Sequence, residues 1–153
     1  MGTGLSLMDG GKIPSGPLDI PTIESIAQRS HSHPLVVSAQ FRPDRISPRV
    51  LELELDSQQY PDTVHTVRLD VRWFEGGDYS FHYHEKVENN QWHYRWDRHP
   101  KPDNPRSHSH PPPAAARVEP SPIDEEHHLG VLFTVLDWVT ARVERIHERT
   151  DHQ

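Results

Sequence analysis

A regular alternation of apolar and polar side chains over residues 64–97 constrains this chain more than any other feature of its sequence. Alternation with a period of two is typical of β-strands that bury one face. Short turn sequences containing glycine or asparagine separate three successive runs, which predicts antiparallel strands joined by hairpins. The apolar positions of the three runs are Val67, Leu69, Val71, Trp73, Tyr79, Phe81, Tyr83, Trp92, Tyr94 and Trp96.

Five strand-like runs are present in all, and helical patterns flank them. The strands are predicted at 35–41, 49–55, 64–74, 78–86 and 91–97. A short helix is expected over residues 20–30, behind Asp19 and Thr22, which can cap it. A long helix is expected from Ser121, a capping residue followed by proline, to the C-terminus. The sequence therefore predicts an α+β fold, an antiparallel β-meander of about five strands with the long C-terminal and the short N-terminal helix packed on one face.

The composition fits a single domain. The chain has 153 residues, of which 33% are hydrophobic, enough for one modest core. Residues 1–18 are rich in glycine without periodicity and are predicted to be a disordered N-terminal extension, which leaves one domain at 19–149. Within this domain, residues 98–120 are predicted to form a loop rich in histidine and proline. The absence of cysteine excludes disulfides, thiolate catalysis and cysteine zinc sites.

Charge and hydropathy narrow the class of partner. The net charge is -7, and only three of the 16 cationic residues are lysines. Nucleic-acid-binding domains are usually basic, so phosphate binding by this chain would require a local patch of arginines. No apolar run is long enough to span a bilayer and no secretion signal is recognised, so a cytoplasmic protein without a membrane partner is expected.

The second face of the predicted meander collects arginine, histidine and aspartate on neighbouring strands. Arginine binds phosphate through two parallel hydrogen bonds, and histidine exchanges protons near neutral pH, so this mixture suits phosphodiester chemistry. The alternative is an ordinary solvated face, because antiparallel sheets commonly leave one side in water. The polar residues concerned are Arg68, Arg72, His82, His84, His93, Arg95 and Asp97.

An ordered set of motifs follows the third strand. It comprises YSFHY at 79–83, YRWD at 94–97, a His-Pro step at His99, and a His-x-His pair formed by His108 and His110, ahead of the C-terminal helix. In this order the motifs resemble the TumE-type toxin family of prokaryotic toxin–antitoxin systems. The resemblance implies a toxin neutralised by a cognate antitoxin, often a helix-turn-helix protein, with RNA as its target. No cofactor is expected, and a homodimer is possible.

The resemblance extends over about residues 49–148, and residues 78–111 carry its strongest part. It is closest to haloarchaeal-looking members, which agrees with an acidic composition poor in lysine. Three departures from the family pattern stand out, and one of them is the N-terminal extension. Arg98 occupies the position where the family usually has asparagine, and the histidine cluster at 107–110 is interrupted by serines.

A mechanism for metal-independent RNA cleavage can be assigned to these residues. Such cleavage needs a base for the 2′-OH, an acid for the leaving oxygen and cationic donors for the phosphorane. We expect Arg95 and Arg72 to hold the phosphate and Asp97 to orient a histidine. The acid and the base are expected to be one histidine of the pair His82 and His84 and one of the pair His108 and His110. The catalytic candidates are His82, His84, Arg95, Asp97, His99, His108 and His110. The candidates for substrate binding are Arg68, Arg72, Arg98 and Arg106.

Two other functions remain open at the level of sequence. A His-ligated metallohydrolase is one, since His-x-His pairs at 31/33, 82/84 and 108/110 would each place two imidazoles on one face of a strand. Nearby arginines oppose a cation, so no residue is assigned as a metal ligand. A non-catalytic module that binds protein or RNA is the other, because the prolines at 111–113 form a stiff segment that can dock on a partner.

Overall fold

The computed structural model describes residues 16–98, 107–110, 119–120 and 123–151. Helix α1 and a C-terminal helix, α2, flank five long strands, β1 to β5, and two short strands, β6 and β7. The helices are α1 Ile20–Ser30 and α2 His128–Asp151, and one turn of 3₁₀-helix spans Ser57–Gln59. The strands are β1 Val36–Arg42, β2 Val50–Leu55, β3 Val64–Trp73, β4 Tyr79–Val87, β5 Asn90–Arg98, β6 Ser107–His110 and β7 Glu119–Pro120.

The seven strands form one antiparallel sheet in which each strand pairs with its neighbour in sequence. The predicted α+β fold, with a five-strand meander, a short N-terminal helix and a C-terminal helix, is confirmed. Strands β6 and β7 come from the segment that was predicted to be a loop, and they extend the sheet beyond β5. The rest of that segment, 99–106 and 111–118, lies outside the described residues.

The core lies between the two helices and the apolar face of the sheet. Alternate residues of β3 and β4 are buried, as the period-two pattern predicts. Ile23 and Ile26 of α1 and Leu132 and Leu136 of α2 are fully buried in the same apolar cluster. Because both helices contribute to this cluster, no helix of the described part of the chain covers the opposite face of the sheet.

The C-terminal helix begins at His128, not at Ser121 as predicted. Residues 123–126 form no regular structure, and Ile123 is 7% exposed within the core. Burying an isoleucine side chain stabilises a fold by about 1.5–3 kcal/mol, whereas a helix cap is worth about 1 kcal/mol. Burial therefore outweighs the capping motif, and His127 caps instead: its Nδ1 accepts a hydrogen bond from Leu129 N at 3.1 Å.

Order at the N-terminus starts earlier than predicted. Leu18 forms a β-bridge with Phe74, and the amide of Glu75 donates to the carbonyl oxygen of Pro17 at 2.9 Å. Residues 16–18 are therefore attached to the end of β3, while the prediction of disorder for 1–15 lies outside the described residues. Neither helix of the described chain is long and apolar enough to cross a membrane.

Candidate functional site

Strand register aligns the polar side of the sheet into three rows, one crossing β2 to β5, one β2 to β6 and one β3 to β6. Residues that are directly opposite on antiparallel strands have Cβ atoms about 4.5–5.5 Å apart, so members of a row are close neighbours. We call the side of the sheet that carries these rows the polar face. The rows are Glu54-Arg68-His84-His93, Glu52-Asp70-His82-Arg95-His110 and Arg72-Ser80-Asp97-His108.

Most of the site residues predicted from sequence fall within these rows. Pairing of β6 with β5 sets the backbone of His110 opposite Arg95 and that of His108 opposite Asp97. Between them, Ser109 is buried and accepts a hydrogen bond from Tyr94 Oη at 3.4 Å. His99 and Arg106 lie outside the described residues.

Arg95 is anchored by a buried carboxylate. Its Nε donates to Asp97 Oδ2 at 2.8 Å, and the side chains of Arg95 and Asp97 are 36% and 5% exposed. Charge-assisted hydrogen bonds of this length are among the strongest that proteins make. The pair therefore holds a partly exposed guanidinium in a defined position near the middle of the polar face. Arg72 is half-buried on the same face and has no ion-pair partner among the described residues.

Asp70 links two rows of the polar face. Arg68 Nε donates to Asp70 Oδ1 at 3.1 Å, and His84 Nε2 lies 3.1 Å from Asp70 Oδ2. Burial alone would raise the pKa of Asp70, but His84 and Arg68 outweigh it and hold this pKa below its usual value. Asp70 is therefore an ionised carboxylate beside His84 at neutral pH.

Three histidines are in mutual contact on β4 and β5. The ring centroids of His82 and His84 are 3.9 Å apart, and His93 lies 5.2 Å from the first and 4.8 Å from the second. Burial, reinforced by the neighbouring His84, Arg95 and His93, lowers the pKa of His82 to about 3. Burial also lowers the pKa of His93, with His84 and Arg68 adding to the effect.

The low pKa of His82 restricts the part that this residue can take in acid–base catalysis. With a pKa of about 3, it is a neutral imidazole at neutral pH and lacks the second proton of an imidazolium, so it does not suit the general acid that the sequence allowed it to be. The sequence placed His93 on the polar face but assigned it no role. The alternation of β5 was the signal that could have joined it to the other two.

Arg98 lies on the apolar side of the sheet, and its predicted role in substrate binding does not fit this position. Its Nε donates to Gly77 O at 3.0 Å, its Nη1 pairs with Glu126 at 3.0 Å, and its guanidinium lies 4.9 Å from the ring of Tyr79. The side chain is buried against these groups. The reason is the strand period: Arg98 follows Asp97 directly, so it points to the opposite face.

A groove of about 510 Å³ runs across the end of the polar face that carries the row Glu54-Arg68-His84-His93. Its volume is within the range of sites that hold small ligands, roughly 300–1,000 Å³. Polar side chains of all five long strands line it, among them Gln40, Glu52, Arg68, His84 and His93. The groove therefore gives solvent and small ions access to two of the three clustered histidines.

Sequence reasoning missed a buried polar network on the apolar side. Arg142 of α2 donates to both carboxylate oxygens of Glu85, at 2.8 and 2.9 Å, and Tyr83 Oη also donates to this carboxylate. Tyr60 Oη lies 2.6 Å from Tyr83 Oη. Glu85 is in phase with the buried aromatic residues of β4, which was the available signal. The network connects α2 to the sheet and is structural in character.

Comparison with known proteins gives one match. A family model described as Toxin TumE matches residues 24–143, a range that includes the three rows of the polar face. No curated protein and no solved structure gives a significant match.

Proposed function

The chain belongs to the TumE toxin family and is thus the toxin component of a toxin–antitoxin system, and from this premise we propose that it acts on RNA as a ribonuclease. Its cognate antitoxin is, in this proposal, a helix-turn-helix protein. The reaction centre lies where β5 and β6 pair on the polar face. The observation that carries the proposal is the position of Arg95, anchored by Asp97 and opposite His110 in the register.

Each residue of this centre has a stated task. Arg95 binds the scissile phosphate through its guanidinium, and Arg72 adds a second positive charge on the next row. Asp97 holds Arg95 in place. His108 and His110 supply the base that takes the 2′-OH proton and the acid that protonates the leaving oxygen. Two features favour these histidines over those of β4: the pKa of His82 is too low for an acid, and His84 faces Asp70.

The test is RNA cleavage by the purified toxin, measured together with growth arrest after induction. Arg95→Ala and His110→Ala should each reduce cleavage about 100-fold or more, because each removes a group that acts on the phosphate or transfers a proton. Arg49→Ala, at an exposed position between β1 and β2, is the matched control and should cleave normally. Undiminished cleavage by both folded variants would contradict the proposed centre.

The same assay distinguishes a ribonuclease from a toxin that binds RNA without cleaving it. In that case the RNA stays intact while growth still stops, and Arg95→Ala weakens binding instead of cleavage. Including a chelator in the reaction tests the mechanism further, since acid–base catalysis by histidines continues when metal ions are removed.

A further inference from the structure

His82, His84 and His93 bring three ring nitrogens close together outside the proposed reaction centre. One nitrogen of each ring lies within 4.8 Å of one nitrogen of the other two. The rings come from neighbouring positions on β4 and β5, so a rigid pair of hydrogen-bonded strands holds them. Ligands on rigid strands are better fixed than ligands on loops.

Each of the three rings also has one nitrogen that is buried and lacks a hydrogen-bond partner among the described residues. His82 Nε2, His84 Nε2 and His93 Nδ1 are all in this condition. His84 Nε2 also has an ion-pair neighbour, Asp70 Oδ2, at 3.1 Å. A buried polar atom without a partner destabilises a fold, so three such nitrogens in neighbouring rings indicate a missing common partner.

The hydrogen bond of His93 settles which of its nitrogens is free. Its Nε2 lies 3.1 Å from Oε1 of Gln91, and with the Gln91 amide in this orientation the oxygen accepts and Nε2 carries the proton. The lone pair is therefore on Nδ1, the nitrogen that is buried without a partner. Metal-binding histidines typically donate their second nitrogen in this way, which fixes tautomer and ring orientation.

The charges around the cluster are compatible with a cation. Arg68 and Arg95 are the guanidinium groups whose charge lowers the pKa of His93 and His82. Arg68 pairs with Asp70 at 3.1 Å and approaches Glu52 at 3.7 Å, and Arg95 pairs with Asp97. Each guanidinium is thus offset by at least one carboxylate. Asp70, the carboxylate that pairs with Arg68, also lies beside His84, so this negative charge is directly at the cluster.

We propose that His82, His84 and His93 bind one divalent transition-metal ion of the zinc or nickel class, with a coordination position open to the groove. Tetrahedral zinc with bonds of about 2.0–2.1 Å needs ligand nitrogens about 3.3 Å apart, so the rings must close by roughly 1.5 Å at most. Rotation of partly exposed imidazoles provides this movement. Three histidines with a free position form the donor set of metal sites that bind water or an anion.

The site goes beyond the proposed ribonuclease function and shares no residue with its reaction centre. His82 is the direct register partner of Arg95, so an anion bound to the metal would also be near that guanidinium. We therefore expect the open position to take an oxygen of an anionic ligand such as phosphate.

Metal binding is tested on the tag-free full chain in the absence of RNA. After treatment with a chelator, titration with Co²⁺ should produce the visible absorption of a tetrahedral site and saturate at one ion per chain. Titration with Zn²⁺ should displace the Co²⁺. His93→Gln and His82→Gln should each weaken binding at least about tenfold, because each removes one of three ligands.

His65→Gln is the matched control, since His65 is an exposed histidine on β3 that pairs with Glu88 outside the cluster. This variant should bind Co²⁺ as the unmodified chain does. Absence of stoichiometric binding, or equal affinity in the control and in both ligand variants shown to be folded by circular dichroism, would overturn the site. Because RNA takes no part, the result is independent of whether Arg95→Ala abolishes cleavage.

Discussion

Arg95 and Arg98 are three positions apart on β5 and have opposite environments. Three is an odd number of steps along a strand, so the two side chains leave opposite faces of the sheet. Arg95 lies on the polar face with Asp97, whereas Arg98 is enclosed by Gly77, Glu126 and Tyr79. Arginine content alone therefore says little about phosphate binding on this chain, and strand parity decides which guanidinium can reach a ligand.

At this scale we predict that Arg98→Ala destabilises the fold without affecting the chemistry. The variant loses the hydrogen bonds to Gly77 and Glu126 and the cation–π contact with Tyr79, at a cost of about 1–3 kcal/mol in the free energy of unfolding. Urea unfolding measures this loss, and RNA cleavage at a temperature where the variant is folded should remain unchanged. Loss of cleavage with unchanged stability would restore the role in substrate binding that the sequence suggested for Arg98.

At the scale of elements, one buried ion pair connects α2 to the sheet. Arg142 binds Glu85 through two hydrogen bonds, and its guanidinium lies 3.4 Å from the ring centroid of Trp92. The side chains of Arg142 and Glu85 are almost completely buried. Breaking a buried pair leaves one charge without compensation, whereas replacing both members with apolar residues removes the desolvation cost as well.

We therefore predict a strongly non-additive response to substitution of this pair. Arg142→Ala should lower the free energy of unfolding by about 3–5 kcal/mol, and Glu85→Met combined with Arg142→Met should recover most of that loss. Glu144→Ala, on the exposed side of α2, is the control and should have little effect. A double variant that is no more stable than Arg142→Ala, measured by urea unfolding, would contradict this prediction.

The two tyrosines of the same network should make the free energy of unfolding depend on pH in the alkaline range. Burial raises the pKa of Tyr60 and of Tyr83 above the ordinary value for tyrosine. Above pH 10 the folded protein therefore keeps the phenol protons of Tyr60 and Tyr83, whereas the unfolded chain releases them. The contribution of the protonated tyrosines to the free energy of unfolding is thus complete below about pH 10 and is lost as the pH rises further. Each tyrosine contributes a slope of up to about 1.4 kcal/mol per pH unit.

Tyr60→Phe tests this slope. The variant should show a shallower fall in the free energy of unfolding above pH 10, although its stability at neutral pH also drops because Tyr83 loses a hydrogen-bond partner. Ultraviolet absorbance of tyrosinate, followed against pH, should show that ionisation of the buried tyrosines accompanies unfolding. An identical slope in the variant and the unmodified chain would contradict the prediction.

At the scale of the whole molecule, the net charge of -7 opposes the binding of RNA. In the proposed function, affinity for phosphate comes from the arginines of the polar face, Arg72 and Arg95. The salt dependence of RNA binding reports how many phosphates are neutralised, with a slope of about -0.7 per phosphate in a plot of log affinity against log salt for single strands. An acidic toxin with a small cationic site should thus respond weakly to salt.

We predict a slope of roughly -1 to -2 for the His110→Ala variant, which retains the phosphate-binding arginines of the proposed centre. Arg72→Ala in this background should reduce the slope by about 0.7, whereas Arg49→Ala should leave it unchanged. Fluorescence anisotropy with a labelled single-stranded RNA measures the affinities. A slope much steeper than this range would indicate a larger basic surface than the polar face offers.

Local patterns were sufficient to predict the five-strand meander, the helix at 20–30 and the separation of apolar and polar sides, and these are confirmed. Each follows from spacing within a run of about ten residues: alternation sets the buried face, and glycine or asparagine sets the turn. The predicted start of α2 was wrong because the burial of Ile123, a tertiary contact, outweighed a local cap. For the same reason Glu85, polar by type, lies in the core with a partner 57 residues away.

The arrangement of the site was decided by tertiary structure alone. Alternation assigns His82, His84 and His93 to one face, but only the register between β4 and β5 puts their rings in contact. Likewise, the pairing of β6 with β5 sets His110 beside Arg95, a relation that no spacing within either segment contains. Side-chain direction is a property of one strand and can be read from sequence, whereas register depends on how distant strands pack together.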